Sequence, residues 1–126
     1  MFPNSRALIY VDQTYIMCYS LRVAVSQTIL SETFALDSRY RVILTVLGVA
    51  KSRKFPVGIK AKFVMIDVEG NYPRLLVDNH EPYGFHMHTQ LPEDASVRVE
   101  LSVKDHNEAL DIFLREAERI AENERS

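Results

Sequence analysis

His86 and His88 stand one residue apart, and Asp78, Asn79 and His80 lie a few residues upstream of them. Imidazole changes charge near neutral pH, so it can give or take a proton under physiological conditions. In an extended backbone, residues i and i+2 point to the same side, roughly 6.5 Å apart along the chain. Two imidazoles placed that way can serve as acid and base in one reaction, or bind one metal ion. Asp78 adds a carboxylate that can orient an imidazole and raise its basicity. Asp78, His80, His86 and His88 together offer one oxygen and three nitrogen donors, a set suited to a divalent cation of intermediate hardness. The catalytic candidates are therefore Asp78, His86 and His88. Asn79, His80, Tyr83 and Gly84 belong to the connecting loop as binding candidates, and Tyr83 has a ring on which a nucleobase could stack.

Blander readings of the same residues stand beside these. Two histidines on the polar side of a short strand can simply face water. Asp78-Asn79 is also a turn-forming pair that bonds its own backbone. A third reading has the histidines bonding to Asp78 and pinning a hairpin, at about 1 kcal/mol per hydrogen bond.

The elements that must position this segment show in the hydrophobic pattern. Period-2 alternation marks half-buried strands. It predicts a strand at Tyr40–Val49, apolar on both faces, and a hairpin from Ile59 through the Glu69-Gly70-Asn71 turn to Asp78. A short strand follows at Gly84–Thr89, with Phe85 and Met87 inward and the two histidines outward. A further strand is expected at Val97–Val103, with Val97, Val99, Leu101 and Val103 inward. The short run Thr33–Leu36 precedes a turn at Asp37-Ser38-Arg39. At the C-terminus, Asp105 and Glu108 have the spacing of a capping box. Leu110, Phe113, Leu114, Ala117, Ile120 and Ala121 then form one helical stripe. Between Tyr15 and Leu30 the apolar residues fit either a strand or a helix.

The expected fold is α+β: an antiparallel sheet of five or six strands with one C-terminal amphipathic helix packed on one face. The division is an N-terminal segment over 1–30, strand or helix, and a single α+β domain over 31–126. A chain of 126 residues accommodates one core of this kind.

Fifteen Lys and Arg against seventeen Asp and Glu leave a net charge of −2, which argues against a stand-alone duplex-DNA binder. The local basic stretch Lys51-Ser52-Arg53-Lys54, followed by Lys60 and Lys62, reads first as a solvated loop and strand face. Lys60 and Lys62 are also the candidates for a local anion contact. The single cysteine, Cys18, excludes an intramolecular disulfide and a Cys-based structural zinc site, and points to a reducing, cytoplasmic setting. A divalent metal remains compatible with the histidine cluster. Ala7–Val25 is broken by Asp12, Gln13 and Arg22, so no membrane span is expected. There is no glycine-rich phosphate loop, serine nucleophile elbow or HExxH motif.

Arg74-Leu75-Leu76-Val77-Asp78-Asn79-His80, followed by Gly84-Phe85-His86-Met87-His88, resembles the Asp-Asn…His-x-His signature of the TumE-type toxins of prokaryotic toxin–antitoxin pairs. The resemblance runs from about Thr33 to Glu122 and includes the preceding hairpin, the following strand and the final helix. It implies a toxin encoded beside a helix-turn-helix antitoxin and, by analogy with many small toxins, RNA as target. Asp78, Asn79, His86 and His88 carry over, with Gly84 as the loop residue. The chain departs from the pattern where Glu81-Pro82-Tyr83 replaces a more basic loop and Met87 replaces an arginine, which removes cations that would meet a phosphate. Two functional classes follow. One is a ribonuclease-like enzyme acting through Asp78, His86 and His88. The other is a non-enzymatic module that binds its antitoxin through the sheet edge and the Asp78–His88 loop.

Overall fold

The computed structural model describes residues 25–125. Alternating apolar and polar residues build six strands: β1 (Val25–Ala35), β2 (Tyr40–Val49), β3 (Ile59–Asp67), β4 (Tyr72–His80), β5 (Gly84–His88) and β6 (Val99–Glu100). They form one sheet in the order β1-β2-β3-β4-β5-β6, each antiparallel to the next. A single helix, α1 (His106–Arg125), follows. This is the α+β architecture expected from the pattern. The Tyr15–Leu30 ambiguity is resolved as strand from Val25 onward; its earlier part, with Cys18, lies outside the described residues. β1 thus runs across residue 30 and includes the Thr33–Phe34–Ala35 run.

Two aspartates set the first turns. The Asp37 carboxylate accepts the backbone N–H groups of Arg39 and Tyr40 at 2.8 and 2.9 Å, which starts β2. The Asp67 carboxylate accepts those of Glu69 and Gly70 at 3.0 and 3.2 Å, and Asn71 completes that turn at φ 58°. Asparagine tolerates this left-handed conformation better than most residues.

One face of the sheet carries the core. Val42, Leu44 and Val46 of β2, Ala61, Phe63 and Met65 of β3, and Leu75 and Val77 of β4 are all buried there. Antiparallel register sets Leu44 against Phe63 and Phe63 against Val77. Helix α1 covers this face with Ala109, Phe113, Ala117, Ile120 and Ala121; the alanines permit close approach. Phe113 lies against Phe63 with ring centroids 5.8 Å apart. The helix begins with the Asp105 cap, and the return bond from Glu108 goes to Lys104, one residue before the cap. The Glu108 N–H donates to the Asp105 carboxylate at 3.0 Å, and the Glu108 carboxylate accepts the Lys104 N–H at 3.0 Å.

The expected Val97–Val103 strand is shorter than its pattern suggested. Only Val99–Glu100 pairs with β5, and Val97 and Val99 are exposed rather than inward. The Leu101 N–H still reaches across to the Phe85 carbonyl of β5, and the run ends where the Val103 N–H bonds back to the Leu101 carbonyl. That turn directs Leu101 and Val103 onto the core and leads into the helix. The basic loop between β2 and β3 is anchored by Phe55, which is buried. No helix among the described residues is long and apolar enough to cross a membrane.

Candidate functional site

Strand alternation and register place the chemically active side chains on the sheet face opposite the helix. Asp78 on β4 sits directly across from His86 on β5, Leu76 across from His88, and His80 across from Gly84. Residues directly opposed in an antiparallel pair hold their Cβ atoms about 4.5–5.5 Å apart. Asp78, His80, His86 and His88 therefore form one patch, two residues from each strand. The turn joining the strands is closed by a hydrogen bond from the Tyr83 N–H to the His80 carbonyl at 2.9 Å. Gly84 adopts φ +63° there, and a Cβ at this position would meet no neighbour. It is the backbone conformation, not lack of space, that requires glycine.

The rings pack edge to face. His86 is 5.2 Å from His80, 5.1 Å from His88 and 5.7 Å from Tyr83, centroid to centroid. His86 is 2% exposed, so it forms the floor of the patch rather than facing water. One ligating atom from each of Asp78, His80 and His86 lies within 4.8 Å of the others.

Backbone carbonyls orient the imidazoles. His86 Nδ1 contacts the Gly84 carbonyl and His88 Nδ1 the Ala95 carbonyl, both at 2.9 Å. A carbonyl only accepts, so each Nδ1 carries a proton, and in the neutral ring the lone pair is on Nε2. The expectation that Asp78 orients a histidine is thus replaced: among the described residues its carboxylate accepts the Asn79 N–H at 2.7 Å and bonds no imidazole. The pinning network imagined between Asp78 and the histidines is absent for the same reason.

Asn79 turns to the core side. Its side-chain oxygen accepts the Ala61 N–H at 2.7 Å, and its amide donates to the Ile59 carbonyl at 3.0 Å. It extends β4 onto β3 beyond the last paired residues, Lys62 and Asp78, and its role here is to position its two neighbours.

Cations border the patch. Lys62 is exposed opposite Asp78, and Lys60 is half-buried. Burial lowers the Lys60 pKa, against the pull of the nearby Asp78 carboxylate. Burial and the neighbouring His86 lower that of His88. One cation, Arg98, was not singled out in the sequence, nor was the backbone contact that Lys54 of the basic stretch makes. The Arg98 guanidinium lies 4.1 Å over the Tyr83 ring, and the Lys54 carbonyl accepts the Glu81 N–H at 3.0 Å, fastening the basic loop to the site turn. Arg98 showed only as a polar position in an alternating run, and the Lys54 contact is a backbone bond without a side-chain signal. Further along the same face runs an apolar groove lined by Ile43, Val64, Ile66, Tyr72 and Leu76, with Lys62 at its side.

Comparison with protein-family models, with curated proteins and with solved structures finds no match for this chain.

Proposed function

We propose that this chain is the toxin component of a two-gene toxin–antitoxin module and that it cleaves RNA at the Asp78/His86/His88 cluster. The observation that carries the reading is the convergence of one carboxylate and three imidazoles on a single sheet face. Phosphodiester cleavage needs a group that exchanges protons near neutrality and positive charge beside the phosphate. His88, the more accessible of the β5 imidazoles, holds its Nε2 lone pair ready for the first task. Lys60, Lys62 and Arg98 supply the second. Asp78 and His86 form the floor, and the Tyr83 ring at the rim offers a surface for a base. The resemblance in the Asp-Asn…His-x-His segment supports the toxin assignment, a helix-turn-helix antitoxin as partner and a cytoplasmic setting.

The apolar groove beside the cluster favours a second reading, a module that binds its antitoxin without catalysis. Controlled expression in a bacterial host separates the two. The parent is expected to arrest growth, and Asp78→Asn and His88→Ala variants at equal protein level to permit it. Arrest by all three alike would remove the cluster from the activity and favour the binding module.

A further inference from the structure

We infer that Asp78, His80 and His86 form a binding site for one divalent first-row transition ion, with His88 outside the coordination sphere. Three observations point to it. The ligating atoms of the three residues already lie within 4.8 Å of one another. An ion of this class sits about 2.0–2.2 Å from nitrogen and oxygen donors, so donor-to-donor separations of roughly 3–4 Å are needed. Closing the wider separations takes rotation of the less buried Asp78 and His80 side chains toward His86. Second, His86 is buried and has its Nδ1 engaged by the Gly84 carbonyl, while no other hydrogen bond satisfies its Nε2 among the described residues. A ligating imidazole is commonly held this way, with one nitrogen donating to a carbonyl and the other left for the ion. Third, Asp78 is half-buried, and its second carboxylate oxygen accepts no hydrogen bond among the described residues, although Lys60 lies near enough to feel its charge.

Two imidazoles and one carboxylate suit zinc, cobalt, nickel, manganese or iron(II) rather than magnesium or calcium, which prefer all-oxygen shells. Three protein ligands leave coordination positions open. The site stands on its own geometry; what the ion does for a phosphate rests on the RNA-cleavage reading, because a bare Asp78 carboxylate would repel that phosphate. An ion between them turns repulsion into a bridge.

The test is binding of Zn²⁺ to the chelator-stripped full chain by calorimetry, with Co²⁺ visible absorption as a second readout and no RNA present. One ion per chain is expected. Asp78→Asn and His80→Ala should weaken binding by at least about tenfold, and His88→Ala by less than about threefold. His86→Ala should abolish it, but the removal of a buried ring can disturb folding. Asp78→Asn and His80→Ala, checked by thermal melting, therefore carry the test. No saturable binding by the parent, or binding unchanged in those two variants, overturns the site. Metal binding without RNA cleavage would sustain the site and sink only the ribonuclease reading; cleavage without metal binding would do the reverse.

Discussion

Replacing Asn79 with Ala is expected to lower domain stability by about 3 kcal/mol, through two backbone groups rather than through lost apolar contact. The Asn79 amide satisfies the N–H of buried Ala61 and the carbonyl of Ile59. Removing it leaves both without their partner, at roughly 1–3 kcal/mol for each buried group left unsatisfied. Asn79→Asp keeps the acceptor for Ala61 but turns a carboxylate oxygen toward the Ile59 carbonyl, so it should also destabilise. Urea unfolding measures both variants. Since Asn79 lies between Asp78 and His80, looser β3–β4 pairing should also blur the site. A loss below about 1 kcal/mol in Asn79→Ala would show that water takes over these bonds.

Asp67→Asn is expected to cost about 2–3 kcal/mol at neutral pH and much less in acid. The Asp67 carboxylate is 1% exposed and meets the Arg39 guanidinium at 2.8 Å, besides holding the following turn. Loss of one partner from a largely buried charge pair generally costs a few kcal/mol, and the outward half of Arg39 moderates it here. Asparagine keeps an acceptor for the turn but not the charge. The Arg39 hydrogen bond lowers the Asp67 pKa from 3.8 to about 2, with desolvation opposing it. A carboxylate whose folded pKa is depressed stabilises the fold above its unfolded pKa, and that contribution fades as pH falls from about 3.8 through about 2. The gap between parent and variant in urea midpoint should therefore be full at pH 7 and narrow steadily below pH 4. A gap independent of pH would assign the effect to packing.

The strands nearest the site were legible because each combines a buried face with clear alternation. In Ile59–Asp67 and Tyr72–His80 the buried residues Ala61, Phe63, Met65, Leu75 and Val77 fall at every second position, so a one-residue slip would expose the whole core set. The capping box fixed the start of the helix for a similar local reason. The Val97–Val103 stretch misled because its alternation is real while its partner is short. β5 has only five residues, and after Leu101 the backbone turns back on itself through the Val103 N–H to Leu101 carbonyl bond. At the site, the shared face of His86 and His88 followed from period 2, and the gathering of Asp78 with the histidines from a loop short enough to fold back; the direct pairing of Asp78 with His86 comes from the register. The orientation of the imidazoles was not legible, since carbonyls of Gly84 and Ala95 set it and every residue has a carbonyl. Arg98 over Tyr83 likewise depends on a long-range approach that no local spacing encodes.

The most direct measurement is cleavage of single-stranded RNA by the purified chain, comparing the parent with Asp78→Asn, His86→Ala and His88→Ala. The parent should cut, and each variant that retains its thermal transition should be slower by about a hundred- to a thousandfold, the usual contribution of a proton-transferring or charge-stabilising group. An inactive parent, or well-folded variants cutting at the parental rate, would contradict the assignment of RNA cleavage to this face.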